Sequence, residues 1–373
     1  MVLHFQALSL LSPVTNVLGL WAVSLCFSGG YLSCLLGVIF QPLGTAAAWL
    51  VSWLARYLFL VARSVASVSC AMLYLRSLPS YLWVVLVYAL ALLFAFSRLK
   101  TWLRFALPTL LSVGMLALLL LAARLHYDRP SGVIAAVDVG QGQSLVLMRE
   151  EETLVVDCGS IYTLDNAGER TGAYLISCGR RQVDALLLTH LHADHCNGVT
   201  MLMDILPVRL LILPADVEDE DGLLQEILDA ADRHGTAVYY VSRDEEQDFG
   251  GIHARLFAPA GQGDANERCM MMEYSIGSFD MLVTGDAPKA AEKDLLSRYQ
   301  LHDLELLIVG HHGSRYSSSG ELLGSIGADT ALISVGYNTY GHPTYETLER
   351  LAAYGYSIYR TDLNGTVEFM LGN

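Results

Sequence analysis

The N-terminal third of the chain is almost free of charge. No lysine, arginine, aspartate or glutamate precedes Arg56, and uncharged apolar runs follow at residues 77–97 and 105–123. Each run is close to the roughly 20 residues that an α-helix needs to cross the hydrocarbon core of a membrane. Because soluble proteins bury most residues of this kind, the pattern predicts membrane helices.

Four helices are predicted in this part, over residues 14–40, 43–75, 81–96 and 105–125. The second is ambiguous because Arg56 and Arg63 stand seven residues apart and therefore share one helical face. That face suits an interfacial helix or a polar-lined path, or arginines whose charged ends reach the membrane surface. The N-terminal stretch MVLHFQALSLLSP lacks the basic start of a signal peptide, so we expect none there.

Charge divides the chain into two parts. Residues 1–130 carry 8 basic and 1 acidic side chains, a net charge of +7, whereas residues 131–373 carry 15 and 37, a net charge of −22; together these give the −15 of the whole chain. We therefore predict a transmembrane helical domain at residues 1–128 and a separate water-soluble domain at residues 131–373.

The short segment SRLKTWLR, residues 97–104, orients the predicted helices. It carries Arg98, Lys100 and Arg104 and no acidic residue. Because short cytoplasmic loops are enriched in basic residues, we place this segment in the cytoplasm. The flank after the last span, residues 124–129, is less basic but not neutral. We expect a multi-pass protein of the inner or plasma membrane with an extracytoplasmic C-terminal domain.

From residue 133 onward, short apolar runs alternate with turns and helical patterns. Strands are predicted in GVIAAVDVG, SLVLM, TLVVDCG, VDALLLTH, RLLILP, MLVTGD, LELLIVG, TALISVG and GTVEFML. Helices are predicted in DGLLQEILDAADRHG and near residues 288–299, 320–326 and 344–354. Strands interspersed with helices predict an α/β or α+β layered domain.

The stretch LLLTHLHADHCNG, residues 186–198, places three imidazoles and one carboxylate close together at His190, His192, Asp194 and His195. If buried, each of these groups would need its own hydrogen-bond partner. A bound metal ion removes that requirement, because imidazole and carboxylate together suit Zn²⁺, Mn²⁺ or iron. The stretch therefore predicts a metal site.

Two later strands end in comparable groups. MLVTG leads into Asp286, and LLIVG leads into His311 and His312, just as ALLLT leads into His190. Strand ends on one edge of a sheet converge, so we expect these side chains to share a pocket. The pocket would hold one or two divalent ions, Zn²⁺ or Mn²⁺. If there are two, they would lie about 3.5–4 Å apart, with a carboxylate such as Asp286 as a bridge.

These motifs resemble those of a known family. H-x-H-x-D-H at 190–195, TGD at 284–286 and HHGS at 311–314 resemble the metallo-β-lactamase fold, an αββα sandwich of hydrolases. AAVDVGQGQS, LVVDCG, HHGSRYSSS and YGHPT resemble the C-terminal domain of the ComEC family of competence DNA-uptake proteins, and FQALSLLSPVTNVLG resembles its membrane region. The resemblance implies an inner-membrane protein that admits one strand of transforming DNA, with an extracytoplasmic metal-dependent deoxyribonuclease that degrades the other strand.

The resemblance also implies a ligand set. Its members would be His190, His192, Asp194, His195, Asp286 and His311. His312 fits the last position as well as its neighbour does, so this choice stays open. Asp138 and Asp157 would support the site from neighbouring loops, or would be turn and cap residues.

Catalytic roles follow from the same resemblance. Asp194 would orient or deprotonate the attacking water, and His312 or His342 would protonate the leaving oxygen. Ser314 and Asn338 would hydrogen-bond a phosphate, or would cap their local turns.

The sequence also departs from the family. ComEC proteins have a longer N-terminal half, so this chain would be a fragment, a truncated product or one part of a split system. Its protein partners would be one that supplies the missing part, or other competence proteins. In the broader fold a further histidine completes one metal position, but His234 falls at a predicted helix end and His253 within a predicted strand. The family's N-x-x-S appears here as Asn266 to Cys269, and Gln143 replaces a frequent aspartate. One metal ion or two therefore remain open.

The acidic charge of the C-terminal domain argues against tight binding of DNA. Only Arg180, Arg181 and Arg315 are expected near the site. Two other functions stay open: a membrane-tethered hydrolase of the same fold that acts on esters, thioesters, phosphorylcholine esters or β-lactams, and a non-catalytic scaffold that gates or guides DNA.

Overall fold

The structure, a computed structural model, describes residues 7–9, 11–66, 72–74, 78–128, 131–161, 166–216, 219–259, 263–301 and 303–372. The chain divides into two compact units, residues 1–119 and 120–373. The first unit is helical, and the second contains two β-sheets.

Four helices and one pair of short strands make up the first unit, and the last helix continues past its boundary at residue 119. The strands β1 (Ala7–Ser9) and β2 (Met72–Tyr74) pair antiparallel, and the helices are α1 (Ser12–Ile39), α2 (Gln41–Ala66), α3 (Leu78–Ala95) and α4 (Thr101–Asp128). Within the described residues, α1, α2 and residues 101–119 of α4 are long and apolar enough to cross a membrane, and α3 is a shorter apolar helix. The helices thus support a membrane protein.

Small residues allow α1 and α2 to pack closely. A Cβ atom at Gly44 would lie only 2.3 Å from the Cα atom of Gly37, so the two backbones touch where the chain turns from one helix into the other. Further along the pair, the Tyr57 hydroxyl donates a hydrogen bond to the Leu18 carbonyl at 3.0 Å. Close contact between small residues and hydrogen bonds between helices are how helices associate in lipid.

The predicted second helix was too long. It ends at Ala66 rather than near residue 75, and β2 begins at Met72, while residues 67–71 and 75–77 lie outside the described residues. Serine and valine dominate the sequence around this end, and both favour helices less than alanine or leucine. The other three helices match the predictions to within a few residues. Arg56 lies with its guanidinium 5.1 Å from the centre of the Trp53 ring.

Two seven-stranded sheets make up the second unit. The first has the order β16–β3–β4–β5–β6–β7–β8 and the second the order β15–β14–β13–β12–β11–β10–β9. The strands are β3 (Gly132–Ala136), β4 (Leu145–Arg149), β5 (Glu152–Val156), β6 (Val183–Leu187), β7 (Val208–Pro214), β8 (Ala237–Val241), β9 (Glu245–Phe249), β10 (Ile252–Phe257), β11 (Met271–Ile276), β12 (Phe279–Val283), β13 (Leu306–Ile308), β14 (Thr330–Ile333), β15 (Ser357–Arg360) and β16 (Val367–Leu371).

Helices cover the outer faces of both sheets. They are α5 (Ala167–Ser177), α6 (Ala193–Cys196), α7 (Val199–Ile205), α8 (Leu224–His234), α9 (Lys289–Arg298), α10 (Gly320–Ile326), α11 (Tyr345–Ala353) and α12 (Thr361–Asn364). On β3, Val133 and Ala135 join the core beneath α5, α7 and α8, while Ile134 and Ala136 join the core between the sheets. This alternation gives the αββα layers of the predicted metallo-β-lactamase fold.

The parallel strands bring the polar loops together. β5 to β8 run parallel in one sheet and β12 to β15 in the other. The loop after β6 carries His190, and the loops after β12 and β13 carry Asp286 and His311. From the sequence, these groups were expected at one edge of a single sheet. Two sheets contribute instead, because β6 belongs to one sheet and β12 and β13 to the other.

Candidate metal centre

The loop after β6 presents its four polar side chains in two directions. His190 and His192 stand two residues apart in extended backbone, so they share one side, with ring centroids 4.6 Å apart. The chain then turns into the short helix α6, which carries Asp194 and His195. This change from extended to helical backbone explains the spacing H-x-H-x-D-H, because one loop can supply ligands to two adjacent positions.

Asp286 lies between these positions. One of its carboxylate oxygens, Oδ1, is 3.1 Å from His195 Nε2, and the other, Oδ2, is 3.5 Å from His311 Nε2 and 3.9 Å from His190 Nε2. The side chain is buried. Asp286 is thus placed to bridge two ions.

The two histidines after β13 have different surroundings. His312 is buried, and its Nδ1 donates a hydrogen bond to the Ser334 carbonyl at 2.8 Å, which leaves Nε2 pointing at the Asp194 carboxylate 3.3 Å away. The His311 side chain is 28% exposed and lies on the wall of a cavity. Both residues and Asp157 adopt left-handed backbone, with φ of 51°, 52° and 59°. Such strained conformations concentrate at functional sites.

Two groups of three side chains are spaced to hold an ion each. They are His190, His192 and Asp286, and Asp194, His195 and His312, with ligand atoms in each group within 4.8 Å of one another. The Nε2 atoms of His190, His195 and His312 are buried and make no hydrogen bond with any residue that the structure describes. Because buried polar atoms normally have partners, these inward-facing nitrogens fit divalent cations.

Burial and neighbouring charge shift the protonation of the cluster. Burial and the adjacent His195 hold the pKa of His190 well below its usual value, so this ring is neutral at neutral pH. Burial alone would lower the pKa of His195, but the carboxylates of Asp286 and Asp157 outweigh it and raise that pKa well above its usual value. Burial would likewise raise the pKa of Asp286, yet the neighbouring histidines lower it.

Asp157, buried after β5, orients the ligands. Its Oδ2 accepts hydrogen bonds from His195 Nδ1 at 2.8 Å, the Thr189 hydroxyl at 2.9 Å and Gln143 Nε2 at 2.8 Å, and its Oδ1 accepts from the Thr189 amide at 2.8 Å. The Thr189 hydroxyl also lies 3.0 Å from His190 Nδ1. Carboxylates that hold the far nitrogen of a histidine ligand fix its tautomer and direction. Gln143 therefore adds a donor where an aspartate would add a second negative charge.

The loop before β4 locks these groups together through its backbone. The backbone amide of Gln143 donates a hydrogen bond to the backbone carbonyl of Asp194 at 2.9 Å, and the backbone carbonyl of Gly142 accepts one from the Ser334 hydroxyl at 2.8 Å. Gly142 has a φ of +149°, and a Cβ atom there would lie 2.2 Å from the Gly159 carbonyl oxygen. Only glycine satisfies both conditions.

A cavity of about 570 Å³ opens onto the cluster. Its described lining residues include the ligand candidates Asp194, Asp286 and His312, together with Ser314 and His342, and none of them is a lysine or arginine. Burial and the neighbouring histidines lower the pKa of His342 to about 4. The described cavity wall therefore combines carboxylates and histidines with no lysine or arginine.

Several predicted residues lie elsewhere or act differently. Asp138 accepts from the Gly140 amide at 3.2 Å and so shapes a turn. Asn338 donates from Nδ2 to the carbonyls of Gly336 and His342 and accepts from the His342 amide, so its amide holds a loop together. His234 pairs with Asp204 and His253 with Glu246, away from the cluster, as their positions in a helix end and a strand suggested.

The expected cationic support is also missing from the cavity wall. Arg315 pairs with Glu346 at 3.4 Å. The guanidinium of Arg180 is buried against the Glu150 carbonyl, and Arg181 is exposed next to it. None of the three lines the cavity. Arg315 nevertheless stands between Ser314 and Tyr316, which both line the cavity, whereas the guanidinium of Arg180 is engaged with the Glu150 carbonyl.

Thr189 and Ser334 were not predicted as site residues, and Asn266 was named only as the first residue of the altered N-x-x-S pattern. Thr189 and Ser334 orient His190 and His312 from behind, and Asn266 lines the cavity. For Thr189 and Ser334 the available signal was their position directly after buried strands, the same signal that identified His190. For Asn266 the signal was its place in the interval where the family carries a conserved pattern.

Both units match models of known protein families. Residues 137–337 match the family model described as the metallo-beta-lactamase superfamily, and residues 1–102 match the one described as competence protein. The first match covers more than half of the chain. The fold of this superfamily implies divalent metal binding by the histidine and aspartate groups of the second unit.

Three curated relatives have similar sequences. Competence protein ComA of Neisseria gonorrhoeae is 30% identical over 99% of this chain and 49% of its own length. ComE operon protein 3 of Bacillus subtilis is 26% identical over 65% of this chain and 33% of its own. Recombination protein 2 of Haemophilus influenzae is 26% identical over 64% and 29%. The chain thus spans half or less of the length of these relatives.

Proposed function

We propose that this chain, which belongs to the metallo-beta-lactamase superfamily and also carries a competence protein domain, acts in DNA uptake at a membrane. Its second unit hydrolyses phosphodiester bonds in the strand that is not taken up. The proposal rests on the joining of these two domains, which the relative called Competence protein ComA shares along nearly the whole chain.

One observation carries the enzymatic part of the proposal. Two groups of ligand atoms meet at Asp286, and the buried nitrogens of His190, His195 and His312 face inward without a hydrogen-bond partner among the described residues. A scaffold protein would gain nothing from this arrangement, because unpaired buried polar groups destabilise the fold. Divalent ions held by these two groups would supply the charge that phosphoryl chemistry requires.

Bound divalent ions would supply a water of lowered pKa and positive charge for the phosphate. The side chains have complementary tasks. Asp194 belongs to the group that also contains His195 and His312, and it lines the cavity. Its carboxylate is therefore placed to orient the attacking water or to accept its proton. The histidines that bind metal must be neutral, and burial already keeps His190 in that state.

The surroundings of the paired histidines favour separate roles for them. His312 is buried with its Nδ1 fixed on Ser334, which suits a metal ligand. His311 lies on the cavity wall beside Asp286 and near His342, with ring centroids 5.5 Å apart, so it faces the substrate. With a pKa near 4, His342 is unprotonated at neutral pH and serves as a hydrogen-bonding group rather than as the acid.

The cellular setting is part of the same proposal. We place the chain in the inner or plasma membrane as a multi-pass protein, with the metallo-domain outside the cytoplasm because of the basic segment SRLKTWLR. Its partners are DNA, membrane lipid and other proteins of the DNA-uptake system.

The test uses the full chain purified in detergent micelles with Mn²⁺ or Zn²⁺ and end-labelled DNA. We expect strand scission that chelators abolish and that His192→Ala and Asp194→Ala reduce by at least about 100-fold. His234→Ala is the control, since that histidine pairs with Asp204 away from the cluster. Absence of scission with either metal, together with turnover of a thioester, a phosphorylcholine ester or a β-lactam, would refute the nuclease and support another hydrolase of this fold.

The second alternative is a scaffold whose metallo-domain does no chemistry. DNA uptake by cells that carry His192→Ala and Asp194→Ala separates the two functions. If uptake and degradation of the second strand continue unchanged in these cells, catalysis by this domain has no role.

A further inference from the structure

Two tyrosines line the mouth of the metal centre. Tyr316 is 68% exposed and Tyr340 56% exposed, yet both line the cavity that contains Asp194 and His312. Aromatic side chains contribute most to stability when they are buried. Both rings therefore keep more than half of their surface exposed beside the ligand cluster.

Hydrogen bonds hold the backbone beneath both rings. The Tyr316 amide donates to the Ser314 hydroxyl at 3.3 Å, and its carbonyl accepts from the Lys289 amide at 3.0 Å. Tyr340 belongs to the loop that Asn338 holds with three hydrogen bonds. The backbone under each ring is thus fixed, so binding a ligand there costs little ordering of the chain.

The rings lead toward the ligand cluster. The centroid of Tyr340 lies 5.9 Å from that of His342, which in turn lies 5.5 Å from that of His311. His311 is 3.5 Å from Asp286. The rings of Tyr340, His342 and His311 therefore form a row that ends at the proposed reaction centre. A flat group stacked on Tyr340 would lie at the outer end of this row.

The charge of the cavity wall indicates how a polynucleotide is held. The described lining residues include Asp194, Asp221 and Asp286 but no lysine or arginine, and Arg315, next to Tyr316, pairs with Glu346. Phosphates outside the metal centre thus find no cation in this wall. Stacking on aromatic rings contributes about 1–3 kcal/mol per base and needs no positive charge.

We propose that Tyr316 and Tyr340 stack with unpaired nucleobases that flank the scissile phosphate, so that the domain selects single-stranded or frayed DNA over intact duplex. The inference rests on the proposed phosphodiesterase function and adds the substrate form. In a duplex both faces of each base are already stacked, so the tyrosines gain access only where the strands have separated.

A binding assay without metal tests the stacking directly. The full chain in detergent with EDTA is titrated with a single-stranded oligonucleotide that contains 2-aminopurine, whose fluorescence falls when the base stacks. We expect Tyr316→Leu and Tyr340→Leu each to weaken binding by about 5–100-fold and to abolish the quenching. Tyr316→Phe and Tyr340→Phe should retain both, because phenylalanine keeps the ring.

Tyr240→Leu provides the matched control, because Tyr240 is 43% exposed on β8 and does not line the cavity. Unchanged binding and quenching in both Tyr→Leu variants of the mouth would overturn the proposal, as would tighter binding of blunt duplex than of single strand.

Hydrolysis of two small phosphodiesters, one with a base and one without, separates base stacking from the proposed phosphodiesterase function. With metal present, Tyr340→Leu should raise KM for the p-nitrophenyl ester of thymidine 5′-phosphate and leave methyl p-nitrophenyl phosphate unaffected, because only the first substrate carries a base. Equal effects on both substrates would contradict stacking. If wild type hydrolyses neither ester, the phosphodiesterase function fails, while the metal-free assay still decides whether the tyrosines bind bases.

Discussion

Asp157→Asn tests how far metal binding depends on a residue that is not itself a ligand candidate. The carboxylate accepts four hydrogen bonds, from His195, Gln143 and both donors of Thr189. In asparagine one of these oxygens becomes an NH₂ group. If that group faces His195, the ring must present an unprotonated Nδ1, which moves the proton to Nε2 and removes the lone pair that a metal needs.

The magnitude follows from this change of tautomer. Loss of a carboxylate behind a histidine ligand typically weakens metal binding by about 10–100-fold, which corresponds to about 1.4–2.8 kcal/mol. We expect a loss of this size for Mn²⁺ or Zn²⁺, measured by calorimetric titration of the full chain in detergent. Far-ultraviolet circular dichroism should remain that of the wild type.

The control for this variant is Asp184→Asn. Asp184 is also buried and accepts hydrogen bonds from the Thr153 amide at 3.0 Å and from Gln182 at 2.8 Å, but it lies at the opposite end of β6 from His190. This variant should lose stability and keep its metal affinity. If both variants lose affinity equally, the effect of Asp157 comes from general weakening of the fold, and the tautomer argument is wrong.

Three further results are expected. Metal binding at pH 7 should release protons and strengthen as the pH rises, because His195 and His312 have raised pKa values and must be neutral to coordinate an ion. Calorimetric titrations in buffers of different ionisation enthalpy measure the number of protons released. Glu292→Gln should lower the melting temperature by roughly 3–10 °C, because the buried Glu292 carboxylate accepts two backbone amides, of Ser318 and Ser319, and the new NH₂ group faces one of them. Gly142→Ala should cost more than about 3 kcal/mol, whereas Gly179→Ala, also at positive φ but in open space, should cost about 1 kcal/mol, as unfolding by denaturant would show.

Local patterns were enough to predict the layers of the fold and the main cluster. The continuous apolar run GVIAA is typical of a strand buried on both faces, and on β3 Val133 and Ile134 point into different cores. The spacing of His190, His192 and His195 reflects a change from extended to helical backbone within one loop. Such features depend on neighbours in the sequence, so they can be read without a structure.

Features that depend on distant residues were not predictable in this way. Whether His311 or His312 turns inward depends on a left-handed turn and on the Ser334 carbonyl, which arrives from the next parallel strand. Arg180 was expected near the site, but its guanidinium packs on the Glu150 carbonyl. The arrangement of β6 and β12 in two facing sheets also follows from packing of whole layers, which no short motif encodes.

The acidic charge of the C-terminal half and its proposed DNA substrate are compatible if the metal centre reverses the charge locally. Residues 131–373 have a net charge of −22, and the described wall of the cavity adds no lysine or arginine. Each divalent ion brings two positive charges to the buried Asp286, where screening by salt is weakest. A strand would then be attracted only where it can be cut, and contacts beyond that point would come from uncharged groups such as Tyr316 and Tyr340. For single strands, each phosphate neutralised by a cation adds about 0.7 to the slope of the logarithm of the binding constant against the logarithm of the salt concentration. Because few phosphates are neutralised in this arrangement, that slope should be shallow. A steep slope would mean that basic residues outside the cavity hold the DNA, and the metal centre would then lose its role in attracting the strand.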